Sequence, residues 1–332
     1  MTAGRFCPLH YRYSATTFAQ AVPLEADVLY VVGGLYGNIE AWRTVAALFE
    51  QEPAACRHLV LNGDFHWFDV EPELFVQIEA ATAPHLRLRG NVETEIASPS
   101  SGAGCGCAYP DEVDEATVAR SNRILDRLRD TAQHHPAAVQ RLAALPMTAV
   151  AQVGGQRIAV VHGDAESLAG WGFDPAALDD AKHQSTVAHW FAQAQVDVFA
   201  SSHTCAAGLR RMKLMQGQGV VINNGAAGMP CFAGQRAGVI SRVATTAAPA
   251  HLQCLYGTVL KGVHIDAVAV PYNASAWDER FLAMWPQGSD AHLSYWSRIQ
   301  HGPRPSAVRP ELVEGSRGSP RLRQAQPERW EV

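Results

Sequence analysis

The segment Val60-Leu61-Asn62-Gly63-Asp64-Phe65-His66-Trp67-Phe68-Asp69 constrains the chain more than any other. Its apolar run reads as a buried strand that breaks on Gly-Asp. Two more side chains able to bind a cation or move a proton, His66 and Asp69, follow closely. A strand that delivers a carboxylate at its C-terminal end is a common way for an α/β fold to build a site. Taken alone, Asn-Gly-Asp is equally an ordinary turn.

The same arrangement recurs along the chain. Val28-Leu29-Tyr30-Val31-Val32 is a buried strand running into Gly33-Gly34-Leu35-Tyr36-Gly37-Asn38, and helical periodicity follows from Ile39 to Phe49. A helix is predicted over 71–83, and a short strand over 85–88 leads into Arg89-Gly90-Asn91-Val92-Glu93. Helices are predicted over 111–134, 136–145 and 179–194. Strands over 157–161 and 196–201 end at His162-Gly163-Asp164 and Ser202-His203-Thr204-Cys205. Further strands are expected over 209–214, 220–224, 239–244, 252–260 and 262–270, with short helices over 278–284 and 292–299. This alternation argues for a layered α/β fold. Residues 5–24 read as a cover strand or ordered arm. Residues 1–301 are expected to form a single domain with a C-terminal cap. The stretch 302–332 is rich in Pro, Arg, Glu, Ser and Gln, and reads as a disordered or loosely attached tail.

Four predicted strand ends carry Asp64, Asn91, His162 and His203. A carboxylate, an amide oxygen and two imidazoles suit a divalent metal with mixed N and O ligands. Singly, Asn91 reads as a helix cap and the histidines as satisfied, half-buried side chains.

Charge narrows the partners. Lys and Arg number 27 against 32 Asp and Glu, a formal net charge of −5. No basic block supports binding to extended nucleic acid. No stretch is apolar enough to span a membrane, and Met1 to Pro8 lacks the apolar core of a signal peptide. Seven cysteines without compact spacing fit a reducing cytoplasm. Cys105-Gly106-Cys107 lies in a loop of small residues and reads as loop structure or as a redox or metal-related element.

In order and context these motifs resemble the calcineurin-like metallophosphoesterases. Gly63-Asp64, Gly90-Asn91-Val92-Glu93, Val161-His162-Gly163, Ser202-His203-Thr204-Cys205 and Asn223-Asn224-Gly225-Ala226 are similar to the family's successive motifs. The resemblance covers roughly residues 27–245. It implies a metallophosphoesterase-like β-sandwich flanked by helices, and metal-activated water attacking a phosphate monoester or diester. It also implies one or two divalent metal ions (manganese, zinc or iron). The implied ligands are Asp64, Asn91, His162 and His203.

Departures from the pattern bear on mechanism. The family's Asp-x-His motif is Gly34-Leu35-Tyr36 here, its catalytic His is Val92, and its last His is Cys205. Val92 transfers no proton, so His66 and Glu93 are the candidates for acid–base work. Tyr36 and Cys205 are candidate ligands for a rebuilt second site, and would favour ferric iron or zinc over magnesium. The expected substrate is a small phosphorylated molecule or nucleotide, and Trp67, Trp171 and Trp190 lie near the motifs. The alternative function is a catalytically inactive binding or scaffold protein. A dinucleotide-binding module is weaker, because Gly33-Gly34-Leu35-Tyr36-Gly37 lacks the Gly-x-Gly-x-x-Gly spacing. Oligomeric state has no signal in the sequence.

Overall fold

The structure is a computed structural model that describes residues 3–99 and 102–303. A short helix α1 (Thr16–Gln20) and an edge strand β1 (Leu24–Ala26) lead into β2 (Val28–Val32) and α2 (Ile39–Glu50). Next come β3 (Arg57–Asn62), α3 (Pro72–Thr82), β4 (Leu86–Leu88) and α4 (Asn91–Ala97). Helices α5 (Glu115–Ala132) and α6 (Pro136–Ala143) precede the hairpin β5 (Thr148–Val153) and β6 (Gln156–Val161). Then follow α7 (Pro175–Asp179), α8 (Ala181–Ala194), β7 (Val198–Ser201), β8 (Gly208–Leu214) and β9 (Gly217–Asn223). The described chain closes with β10 (Ala237–Ala244), β11 (Cys254–Leu260), β12 (Val263–Pro271), α9 (Ala274–Met284) and α10 (Asp290–His301).

The strands form two six-stranded sheets, ordered β1-β5-β6-β7-β9-β8 and β11-β12-β10-β2-β3-β4. Alternation along β2 explains the stacking. Leu29 and Val31 face the other sheet and pack with Val60, Ile158, Val160, Val198 and Ile222. Val28, Tyr30 and Val32 face outward and are covered by α2, α3, α5 and α9. The outer face of the first sheet buries Val161, Phe199 and Val221 under Phe18 of α1 and Val187, Trp190 and Phe191 of α8. The result is a helix–sheet–sheet–helix sandwich, the layered α/β arrangement expected.

Register decides where the loops meet. Strands β2, β3 and β4 are parallel, with Val32 opposite Leu61 and Asn62 opposite Leu88. Strands β6, β7 and β9 are likewise parallel, with Val160 opposite Ala200 and Ser201 opposite Asn223. The two sets of loops are then joined across the sandwich. Asn62 Nδ2 donates to Val161 O at 2.7 Å, and Ser202 Oγ donates to Asn62 O at 3.1 Å. Asn224 Nδ2 donates to Gly33 O and Val239 O at 3.0 and 2.9 Å.

Several local expectations were incomplete. Strand β5 is built from Thr148, Ala149 and Ala151 as much as from valines, so its apolar signal is weak. Helix α4 opens at Asn91, where the sequence suggested only a motif and a loop. Residues 5–24 supply a short 3-10 turn, α1 and the start of β1. Helices α9 and α10 are tied down by Trp285 Nε1 donating to Phe68 O at 2.8 Å and by Arg123 on Asp290. The proposed tail, apart from Gly302 and Pro303, lies outside the described residues. No helix among those residues is long and apolar enough to cross a membrane.

One buried ion pair staples this sandwich to its helices. Arg242 of β10 grips Glu52 beyond α2 through Nε and Nη2, both at 3.0 Å, and neither side chain reaches solvent. Arg242→Met would leave the Glu52 carboxylate with the Tyr30 hydroxyl at 3.1 Å and no cation of comparable reach. The expected loss is about 3–5 kcal/mol, read as a shift in the urea-unfolding midpoint.

Candidate metal centre

The Asp64 carboxylate is aimed by its backbone. Gly63 and Asp64 are both left-handed, with φ of 78° and 52°. That conformation is natural for Gly and tolerated by Asp. It folds the loop after β3 tightly against the loop after β4: a Cβ on Gly63 would stand 2.6 Å from Gly90 N, and one on Gly90 would stand 2.2 Å from Asp64 Oδ1. Only glycine at both positions permits this approach.

Glu93 holds the two loops together. It is the third residue of α4, and its carboxylate accepts from the N–H groups of Asp64 (2.8 Å), Phe65 (3.0 Å), His66 (3.2 Å) and Gly90 (2.8 Å). The last bond is the reach-back of a capping box. Asp64 Oδ1 in turn accepts from Val92 N at 3.2 Å. Asp64 Oδ2 is left facing His162 Nε2 at 3.3 Å.

Three further groups converge on the same point. His162 Nε2 lies 3.2 Å from Asn91 Oδ1 and 3.2 Å from His203 Nδ1. Backbone carbonyls fix what each group presents. A carbonyl only accepts, so His162 carries its proton on Nδ1, which donates to Asn62 O at 2.8 Å. His203 carries its proton on Nε2, which donates to Cys107 O at 3.0 Å. Asn91 Nδ2 donates to Cys105 O at 3.0 Å, which turns Oδ1 inward. Four electron-pair donors therefore face one another: Asp64 Oδ2, Asn91 Oδ1, His162 Nε2 and His203 Nδ1.

This donor set fits a divalent cation. Among the described residues, Asp64, His162 and His203 form a group of carboxylate and imidazole ligands whose atoms lie within 4.8 Å of one another. Imidazoles held through their outer N–H by carbonyls are the usual outer shell of a metal ligand. Electrostatics agree. Burial opposes the Asp64 charge, but the adjoining His162 holds the carboxyl below its usual range. Burial also opposes a charged His162, and Asp64 outweighs it and raises the imidazole. Burial, with His162 alongside, pushes His203 down to about 3, so it is neutral.

The remaining candidate residues sit differently. His66 does not face this group. The left-handed turn at Asp64 sends it the other way, where its ring stacks on Phe75 at 4.3 Å and bonds Asp69 at 2.6 Å and Glu79 at 3.5 Å. Its imidazole is fully buried. Glu93 has its carboxylate committed to four backbone donors, a holding arrangement that leaves no lone pair aimed at a substrate. The two groups expected to do acid–base work are thus placed with His66 on Asp69 and Glu79 and with Glu93 on the backbone. Cys205 lies outside the Asp64, His162 and His203 ligand group, and its Sγ is 2.6 Å from Tyr36 Oη. Burial raises both, the Cys205 thiol to about 11, so the pair is protonated without a cation to change it.

Cys105-Gly106-Cys107 was missed as a positioning element. Its two flanking carbonyls set the Asn91 amide and the His203 tautomer, and Cys107 O also accepts from Trp171 Nε1 at 3.2 Å. The cue in the sequence was the length and small-residue content of the loop, which marks function without naming a role.

Two outcomes follow from these placements. Glu93→Gln puts an amide NH2 against two backbone donors whichever way it turns. It should cost about 3 kcal/mol of stability by chemical denaturation and weaken binding of manganese by about 10–100-fold by calorimetry. Glu79 gives a pH signature. Burial works against its charge, yet His66, Arg87 and Arg141 hold its pKa at about 2, below the ordinary 4.5. A depressed carboxyl contributes stability that is complete above the unfolded value and is lost as pH falls through the folded one. Unfolding midpoints measured from pH 5 down to 2 should fall more steeply for the wild type than for Glu79→Gln.

No family model and no curated protein matches the sequence. Solved structures do match the fold. A hypothetical protein from Pyrococcus horikoshii OT3 aligns at a TM-score of 0.54 and 15% identity, covering 83% of this chain and 99% of the other. A metallophosphoesterase from Sphaerobacter thermophilus aligns at a TM-score of 0.52 and 15% identity, again over 83% and 99% of the two chains. With two stacked six-stranded sheets flanked by helices, this chain has the metallophosphoesterase fold.

Proposed function

We propose that the chain is a metal-dependent hydrolase of small phosphate esters, centred on Asp64, Asn91, His162 and His203. The observation that carries this reading is the convergence of four lone-pair donors, three of them oriented by outward bonds to backbone carbonyls. Asp64 Oδ2, Asn91 Oδ1 and His203 Nδ1 all crowd His162 Nε2, and a positive charge among them, a metal ion or in its place a proton on that nitrogen, is what makes the arrangement favourable. The fold likeness to a metallophosphoesterase supports the same reading.

A divalent ion bound there supplies Lewis acidity toward a phosphoryl oxygen and makes a water more acidic. The chain's own part is to hold and orient. Asp64 contributes the one formal negative charge of the ligand set, with Oδ1 steadied by Val92 N. His162 and His203 give neutral nitrogens, kept in one tautomer by their carbonyl partners. Trp171 packs edge-on to His203 at 5.4 Å and keeps water from that face. Val92 places a methyl-bearing side chain where the resembling family has an imidazole, so this chain supplies no proton to the leaving group from that position. Esters with good leaving groups are the substrates such a site turns over.

The test is metal content followed by turnover. Purified protein should hold divalent metal by elemental analysis, lose it to a strong chelator, and regain it with manganese or zinc. His162→Ala and His203→Ala, checked for folding by circular dichroism, should each lose the ion and drop hydrolysis of p-nitrophenyl phosphate and bis(p-nitrophenyl) phosphate to background. A protein that binds metal and hydrolyses neither ester would be a metal-holding binding protein instead. A protein that binds none would remove the centre altogether.

A further inference from the structure

We infer that Tyr36 and Cys205 fill the place beside Asp64 as a mutually bonded pair, that the centre consequently takes a single divalent ion, and that its substrates are singly charged phosphodiesters. The inference rests on the hydrolase reading above for its substrate half, and on geometry alone for its ion count.

The loop after β2 is laced to the loop after β3. Gly34 N donates to Gly63 O at 3.1 Å, Tyr36 N to Asp64 O at 3.0 Å and Gly37 N to Phe65 O at 2.8 Å. Whatever side chains the β2 loop carries are therefore delivered next to Asp64. Gly34 carries none, and its φ is 63°. A Cβ there would stand 3.0 Å from Cε2 and Cζ of Tyr36, so the phenol ring lies over the space a longer side chain would use. The ring is pinned at its far end. Tyr36 Oη is 2.6 Å from Cys205 Sγ, and Sγ lies 3.6 Å from His203 O. That carbonyl accepts the thiol hydrogen, which leaves the sulfur to accept from the phenol. Hydroxyl and thiol are spent on this chain of bonds and do not ligate.

Charge then selects the ester. Asp64 contributes −1 and the other three donors are neutral, so one divalent ion leaves the centre at about +1. Two other charges lie close, the Glu93 carboxylate behind Asp64 and the Arg298 guanidinium on Cys205 O at 2.8 Å, and they are opposite in sign. A phosphodiester, with charge −1, matches this balance. A phosphomonoester dianion exceeds it, and like-charge excess in a buried site is costly. The surroundings suit a second ester group. The packing beside the centre is aromatic, from Tyr36 through the buried Phe68 (6.0 Å) to the partly exposed Tyr295 (5.1 Å), so an alcohol group arriving at Tyr295 meets an apolar edge.

Two measurements decide it. Metal-free protein titrated with manganese in a calorimeter should bind one ion per chain, and Tyr36→Phe and Cys205→Ser should each still bind one with affinity within about threefold of wild type. Two ions in the wild type, or loss of the ion in either variant that remains folded by circular dichroism, would overturn the inference, since Tyr36 or Cys205 would then be a ligand. Reloaded protein should show kcat/KM at least tenfold higher for bis(p-nitrophenyl) phosphate than for p-nitrophenyl phosphate. A preference for the monoester overturns the substrate assignment and leaves the hydrolase reading standing. No turnover of either ester overturns both of those, while the ion count is still decided by the titration.

Discussion

The Glu93 carboxylate is the constraint on which the working end of the molecule depends. It gathers N–H groups from two loops that are distant in sequence, residues 64–66 and residue 90, and it does so without reaching solvent. A turn held in the left-handed region is unfavourable on its own and persists where its surroundings over-determine it. Three charge-assisted bonds supply that surplus at residues 64–66, and the fourth ties the turn to Gly90. Burial, with the Asp64 charge nearby, pushes the Glu93 carboxyl up, and the backbone donors and His66 pull it back. Asp64 has its orientation because Glu93 has no other partner to take.

A second layer of control comes from the main chain. Carbonyls of Asn62, Cys105 and Cys107 decide which atoms His162, Asn91 and His203 turn inward. The ligand side chains are thus set by loops whose own side chains contribute little. Cys105 and Cys107 matter here mainly through their oxygens, with Cys107 Sγ a second, longer partner of the Asn91 amide at 3.6 Å. The same economy explains the departures around Asp64. Gly34 with Tyr36 over it, and Cys205 under the phenol, make a packed neutral block where side chains of other types would have brought charge.

Much of this was legible in the sequence, and the reasons differ by residue. Asp64, His162 and His203 each follow a run of apolar residues and Asn91 follows the short alternating strand Leu86–Leu88, and parallel register turns that shared position into proximity. Neighbouring strands of one sheet must end together, so the pattern carried spatial information. The placement of His66 was not legible, because a two-residue offset from Asp64 implies nearness only if the backbone is extended, and here φ at Asp64 is 52°. The bonds Glu93 makes were not legible either, because backbone partners leave no mark on the residue string. Strand β5 was missed for a plainer cause: alanine and threonine give weak apolar contrast, and it is the pairing with β6 that makes the strand.

Burial of the four converging groups has a kinetic meaning. Asn91 and His162 are 1% exposed, Asp64 5% and His203 6%. Arg298 of α10 closes the far side through Pro230 O and Cys205 O. An ion held there leaves only when the loops or α10 open locally, so its exchange follows an opening equilibrium and not diffusion. Removal of an ion by a chelator, and its replacement by another, are then timed by how often those loops part and not by how fast the ions diffuse.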